Sequence, residues 1–405
     1  MTSKKNKTRS RVTPASRQKA QESQTQGVAT EEAAQPDVFE TAVSSLSEVA
    51  PAQAPLSRPD VPTPPSSFAS AQPRPRGPVT PNALKGPVLF VGGGRYESQA
   101  NAQVRQTIMD GLVGAFGEEE VTMVDISGAA NAVAELKPAL VFSSGSYLPE
   151  STYFGEVSRA ARKVGAVTAF WATEDPYEQD AHYQIDNDFD VIFSCDRWGH
   201  NFYGRKNVFH LPLGACPKLH YADILPDQEK NIDVLFCGVA FNSRKEVARN
   251  LLPVLRQLNI RFIGPGWGEL GIGFSDARIE KSQLVDLYSR SKMVLNLGRS
   301  LHFENKQFMI APSTPGPRTF EAAAAGAFQV FHEDTYELRR YYDADEIPVF
   351  SNRFDFERIV DRYLNDGAAR LAASRKAQER TMNEHLYVHR IAQALDIMKR
   401  EKLLP

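Results

Sequence analysis

The sequence predicts two consecutive doubly wound α/β units, each a parallel sheet covered by helices, facing each other across a cleft. Three observations predict it. Short apolar runs recur from Pro87 to Phe350, amphipathic stretches stand between several of them, and one polar, proline-bearing stretch interrupts the alternation at 214–231. Runs buried on both faces and joined by helical crossovers are the pattern of parallel sheets.

Taken in order, residues 1–84 are rich in Pro, Ala, Ser and Gln and poor in large aliphatic clusters. Such a segment cannot bury enough apolar surface to offset the entropy of ordering, so a disordered tail is expected. Its first twenty residues carry only basic charges, which suits either a solvated tail or contact with a polyanion or membrane surface. The first unit is placed at 85–215. PVLFVGGG reads as a buried strand ending in a glycine turn, and Val104, Ile108, Leu112 and Phe116 then mark one helix face at four-residue spacing. VTMVDI, ALVFSS, AVTAFWAT, DVIFSC and VFHLPL follow as strands, with a helix at 152–164.

A linker is placed at 216–230, and the second unit at 231–382. Its strands are IDVLFCGVA, IRFIGPG, MVLNLG, FQVFHE and IPVFSN, its helices 244–258, 282–289, 318–325 and 354–364. The remainder, 383–405, is read as a terminal helix. Ligands of such sheets sit at the carboxyl ends of the strands, here in the cleft between the units.

The net charge of -2 gives no global attraction to nucleic acid or acidic lipid. Cys195, Cys216 and Cys237 are odd in number and too widely spaced for a zinc knuckle, which predicts buried reduced thiols and a cytoplasmic protein. No segment has the apolar length of a signal peptide or a membrane span. The eight histidines show no metal-binding spacing. Asp186-Asn-Asp188 and Asp343-Ala-Asp345 have the form of a metal-holding acidic pair but lie in polar connections, and no metal is expected.

The most informative stretch is 313–331, STPGPRTFEAAAAGAFQVF. A helix start is an anion site because its first amides are unpaired and its dipole is positive there. Arg318, Thr319 and the free amides suit a diphosphate, whereas Glu321, one turn in, suits the hydroxyls of a ribose. Together they predict a nucleotide ligand. Arg244 and Lys245 open another helix at a strand end, either as phosphate ligands or as a solvated first turn. Gly264, with Gly266 and Gly268, leaves backbone free for a flat base, and Asn296 closes the MVLNLG strand.

In the first unit, Gly93 and Gly94 belong to a glycine turn, GGGRYES, that lacks the spacing of a dinucleotide fingerprint. That absence weighs against a nicotinamide-dependent oxidoreductase. In WATEDPYE, Trp171, Glu174 and Asp175 follow a strand, and the two acids suit either an acceptor hydroxyl to be oriented and deprotonated or a plain acidic turn.

The blocks CGVAFNSRKE, SQLVDLYSRSKMVLNLG, PGPRTFEAAAAGAFQVF, DEIPVFSN and EHLYVHR give the second unit a resemblance to glycosyltransferases of the GT-B fold, in particular to the CgeB-like proteins first linked to spore maturation. The first unit resembles that family through WATEDP and DVIFSCDRWG. The resemblance implies a nucleotide-sugar donor on the second domain, an acceptor on the first, and transfer without a metal or other cofactor. It assigns the donor ribose to Glu321, the diphosphate to Arg244 and Arg318, and the edge of the base to the Arg278-Ile279 backbone. One departure stands out: Ser313 occupies the position where many retaining relatives carry a second glutamate. The expected function is transfer of a sugar from a nucleotide-diphosphate sugar, most simply a UDP-sugar, to a hydroxyl of a protein, glycan or other molecule. Glu174, Asp175 and Arg244 are the expected catalytic groups. The alternative is a non-catalytic surface or spore assembly protein that binds a nucleotide sugar or glycan.

Overall fold

The computed structural model describes residues 84, 86–93, 99–146, 151–271, 273–299, 305–332 and 336–404. The expected tail, apart from Leu84, lies outside these residues, as does Gly94. Both sheets fall within one compact unit.

Each apolar run named above forms a strand. In the first domain these are β1 (Val88–Gly92), β2 (Val121–Asp125), β3 (Leu140–Gly145), β4 (Val167–Ala172), β5 (Val191–Ser194) and β6 (Val208–His210). They pair in the order β2-β1-β3-β4-β5-β6, parallel throughout. Helices α1 (Gln99–Phe116), α2 (Ile126–Leu136) and α3 (Ser151–Val164) cover the faces. Alternation along β1 divides the core. Val88 and Phe90 join Ile108, Leu112, Trp171 and Phe193 on one face, while Leu89 and Val91 join Phe154, Val157 and Phe170 on the other.

A short helix, α4 (Pro217–His220), interrupts the connection to the second domain. There β7 (Ile232–Cys237), α5 (Asn242–Leu255), β8 (Ile260–Ile263), β9 (Phe274–Ser275), α6 (Lys281–Ser289), β10 (Ser291–Asn296), α7 (Pro317–Ala324), β11 (Gln329–His332), β12 (Val349–Phe350) and α8 (Arg353–Leu364) follow in turn. The sheet order is β12-β11-β10-β7-β8-β9, again all parallel. Ala322 to Ala325 are fully buried, Ala322 and Ala325 in one cluster with Leu235 and Val294 of the sheet, Ala323 and Ala324 in another with Phe331 and Ala377.

The order of each sheet reverses at one place, between β1 and β3 in the first and between β7 and β10 in the second. At such a switch point the crossovers leave in opposite directions and open a crevice beyond the strand ends.

The stretch 383–405, read as a terminal helix, holds α10 (Tyr387–Arg400), and a helix not read from the sequence, α9 (Gly367–Glu384), precedes it. The face that α9 buries is made of Arg370, Ala373, Ser374, Ala377 and Thr381, small or polar residues that leave no apolar stripe to read. Helix α10 packs on α1, and its Ile391, Leu395 and Met398 complete the first domain's core. The chain therefore crosses between domains twice. The two crossings are bonded together, the Ala215 amide donating to the His385 carbonyl at 2.9 Å and the Tyr387 amide to the Ala215 carbonyl at 2.9 Å.

His385 and His389 flank this crossing, both buried. Burial first, then the charge of Arg390, holds His385 down to about 3 and His389 down to about 4. A histidine held below its ordinary 6.5 binds protons more readily when unfolded, so the stability it contributes is present above pH 6.5 and lost as the pH falls towards 4. His389 Nδ1 accepts from the Leu386 amide at 3.1 Å, capping α10. His389→Gln keeps an acceptor there without a titrating ring. Thermal melts between about pH 8 and pH 4 should show a shallower acid decline for this variant and near-identity at the alkaline end.

The three cysteines are buried free thiols. Burial pushes Cys216 up to about 11, with Asp110 adding to it, and Cys237 up to about 12.

Candidate functional site

The second domain's switch point is held by Arg244. As the third residue of α5, its side chain turns back over the strand ends, where Nε donates to the Leu297 carbonyl at 3.1 Å and to that of Gly298 at 3.3 Å. Its Nη1 donates to the Val239 carbonyl at 3.0 Å. The guanidinium thus bridges the loop after β7 to the loop after β10, and it forms no ion pair among the described residues. Burial, then the charges of Arg299 and Arg318, lower it to about 10. Three guanidinium groups therefore share one electrostatic neighbourhood.

Arg318 sits in the first turn of α7 and lies against the Tyr288 hydroxyl, with Glu321 within electrostatic reach. Glu321, 8% exposed, faces His220, whose Nε2 is 3.6 Å from Oε1. His220 Nδ1 accepts the Cys216 amide at 3.0 Å. That bond requires the proton of a neutral ring to be on Nε2, aimed at the carboxylate.

The start of α7 is braced from below. Asn296 Nδ2 donates to Gln329 Oε1 at 2.6 Å, and Gln329 Nε2 donates to the Thr319 carbonyl at 3.0 Å. Asn296 and the buried Thr319 are therefore the supports of this helix start. From the other side comes Asp196 of the first domain, 1% exposed. Its carboxylate accepts from the amides of Ser313 at 2.7 Å and Thr314 at 3.0 Å, and from those of Trp198 and Gly199, both at 2.9 Å. Ser313 Oγ adds a bond at 3.1 Å. So Ser313, the departure from the family pattern, is a fully buried residue clamped by an acid of the opposite domain.

Across the junction, Arg299 Nη2 pairs with Glu174 Oε2 at 2.9 Å, and its guanidinium lies 3.5 Å from the centre of the Tyr177 ring. Of the two adjacent acids in WATEDPYE, the structure turns Glu174 towards this junction and Asp175 inward, in the turn that follows β4. Asp175 is 3% exposed, and its Oδ2 accepts the Tyr203 hydroxyl at 2.8 Å. Glu178 follows one turn later at the end of β3, where Ser146 Oγ donates to both of its oxygens at 2.7 Å.

Other expected residues stand elsewhere. Trp171 is not in a loop. It lies inside β4, fully buried, with Nε1 donating to the Leu211 carbonyl at 2.9 Å and its ring edge-on to Phe142; its size and apolar face draw it into the core. Gly93 is buried as well, and a side chain there would run into Phe154 and the Ser144 carbonyl. Gly264, at φ +143°, serves backbone contact more than base contact, since an added Cβ would stand 2.3 Å from the Gly238 carbonyl oxygen. Lys245 pairs with Glu269 at 3.3 Å. Arg278 is exposed in the coil before α6, while Ile279 is half-buried and lines an open groove with Ile263 and Gln283. Of the acidic pairs, Asp186 contacts His182, Asp343 contacts Arg380 and Asp345 contacts Lys376. No cluster of three or more His, Cys, Asp or Glu set to hold a metal occurs among the described residues. Among the same residues, no helix is long and apolar enough to cross a membrane.

Arg299, Glu178, Asp196 and His220 were not singled out from the sequence. Arg299 had a signal, since it directly follows the MVLNLG strand. Asp196 likewise follows the DVIFSC strand, but nothing local names its partners; His220 had no signal, because only tertiary folding brings it to Glu321.

Residues 244–396 match the model of a glycosyl transferase-like family, and this stretch contains Arg244, Arg299, Arg318 and Glu321. No curated protein matches the chain by sequence. Similar solved structures include Anabaena Alr3699/HepE in complex with UDP and glucose, at 10% identity over 78% of this chain and 100% of that one, with a TM-score of 0.53. Sucrose-phosphate synthase from Thermosynechococcus elongatus aligns at 11% identity over 79% of this chain and 99% of its own, TM-score 0.52. AviGT4, a glycosyltransferase involved in avilamycin A biosynthesis, aligns at 14% identity over 78% and 98%, TM-score 0.53. At these identities the likeness is one of fold: two parallel-sheet, Rossmann-like domains in the GT-B arrangement.

Proposed function

We propose that the protein is a glycosyltransferase that moves a sugar, hexose-like, from a UDP-sugar on the second domain to a hydroxyl presented by the first. The observation that carries this reading is the gathering of Arg244, Arg299 and Arg318 around one switch point with Glu321 beside them. Arg244 and Arg318, with the start of α7, face the diphosphate; Glu321, steadied by His220, takes the ribose hydroxyls; the Arg278-Ile279 backbone meets the base. Lys245, paired with Glu269 at 3.3 Å, stands beside Arg244 in the first turn of α5. The UDP and glucose in the complex of the Anabaena protein support the choice of donor, and the blocks resembling CgeB-like proteins support the branch.

In the reaction the anomeric carbon loses its bond to the β-phosphate oxygen and gains one to the acceptor oxygen. The electron pair leaves on UDP, and the acceptor proton must be taken up. Charge grows on the diphosphate while the sugar becomes cation-like, so fixed guanidinium groups bind the transition state more tightly than the ground state. That positive charge is what lets the transfer be proposed without a metal.

Melting curves with UDP-glucose and a panel of UDP-, GDP- and dTDP-sugars test the donor, since a ligand of the folded state raises the melting point. Glu321→Gln should weaken binding of the stabilising UDP compound about 10- to 100-fold, the worth of a hydrogen bond to a charged group. A panel that leaves the melting point unmoved would exclude this donor class. Stabilisation without turnover would favour a non-catalytic binder.

A further inference from the structure

Transfer to a hydroxyl needs a group that removes its proton, and the first domain offers three acids near its strand ends. Glu174 is tied to Arg299 at 2.9 Å, so its carboxylate is already engaged across the junction. Asp175 is buried against the Tyr203 hydroxyl. Glu178 is buried too, but it lies at the first domain's own switch point, beside Ser146 where β3 ends, and within electrostatic reach of Arg299 from the second domain.

We propose that Glu178 accepts the proton of the attacking hydroxyl. The inference rests on the glycosyltransferase reading and supplies the step that reading leaves open. The acceptor O–H bond breaks with its proton passing to a Glu178 carboxylate oxygen, while the oxygen's electron pair forms the bond to the anomeric carbon and UDP departs. Solvent then takes the proton from Glu178.

The surroundings suit this task. The charged groups acting on Glu178 include Glu174 and Asp175 from the loop after β4 and Arg299 from the second domain. Burial, reinforced by the charge of Glu174, pushes Glu178 up to about 8, opposed by the Ser146 hydroxyl. A carboxylate of that basicity is matched to proton transfer near neutral pH, far better than an exposed one near 4.5.

The test uses UDP-glucose with water as acceptor and reads UDP release against pH. For the wild type, kcat/KM should climb about tenfold per pH unit and level off near pH 8. Glu178→Gln keeps the shape and the partner Ser146, so UDP should bind as in the wild type while release falls by about 100-fold or more and the pH-dependent climb disappears. Ser146→Ala, which removes the bond that favours the ionised form, should move the plateau to higher pH, and it provides a second readout if the first variant melts early. A Glu178→Gln enzyme that binds UDP and keeps the wild-type rate and profile overturns this inference alone. A wild type that neither binds nor cleaves any sugar nucleotide overturns the donor reading and this inference with it.

Discussion

Asp196→Ala is expected to lower the melting temperature by roughly 8 °C. The carboxylate accepts from four backbone amides, two in its own domain and two in the loop before α7. Removing it strands buried donors at about 1–3 kcal/mol each. Part of that loss is offset, because burial holds the Asp196 carboxyl above its ordinary range and its desolvation is relieved in the variant. A net loss on the order of 4 kcal/mol remains, and at about 2 °C per kcal/mol for a body of this size the shift follows. Asp196→Asn keeps one carbonyl oxygen and should fall about halfway. Scanning calorimetry decides the matter: a variant melting within about 2 °C of the wild type would mean that the carboxylate does not clamp the two domains.

Arg318→Ala should cut kcat/KM for the UDP-sugar by about 100-fold, the 2–4 kcal/mol typical of losing one preorganised donor to a developing anion. Its melting point should fall less than that of Arg244→Ala, because Arg318 is exposed and lies against one hydroxyl, that of Tyr288, with no bond to backbone carbonyls among the described residues. Arg244→Ala should behave otherwise and lose stability as well as rate, since its guanidinium holds three carbonyls of two loops. Lysine at 318 should restore little, because a point charge cannot reproduce the planar fork. Equal rates for the wild type and the alanine variant would remove Arg318 from the donor site.

Short but unbroken apolar runs made the strands readable, since burial on both faces leaves little polar signal to confuse the pattern. Helix α9 hid because its buried face is small and polar, and β9 because its two residues, Phe274 and Ser275, stand in no apolar run. Within the site, Arg244, Arg318 and Glu321 were legible as side chains at strand and helix ends, where topology alone predicts a ligand. Trp171 and Asp175 misled for one reason: position just past or inside a strand does not say which way a side chain turns. What the sequence could not show was pairing across the junction. His220 beside Glu321, Asp196 beneath Ser313 and Arg299 on Glu174 join residues about a hundred or more positions apart, and no local spacing encodes them.

The bonded pair of chain crossings at Ala215 and Tyr387 bears on how these lobes can be handled and how they can swing. Two covalent tethers zipped side by side resist free swivelling and favour rotation about a single line, so any opening of the crevice resembles a door more than a ball joint. The same arrangement means that neither lobe can be cut out cleanly by ending a gene near residue 215. A fragment stopping there would lack Ile391, Leu395 and Met398, leaving a greasy trough along α1 that would drive it to clump.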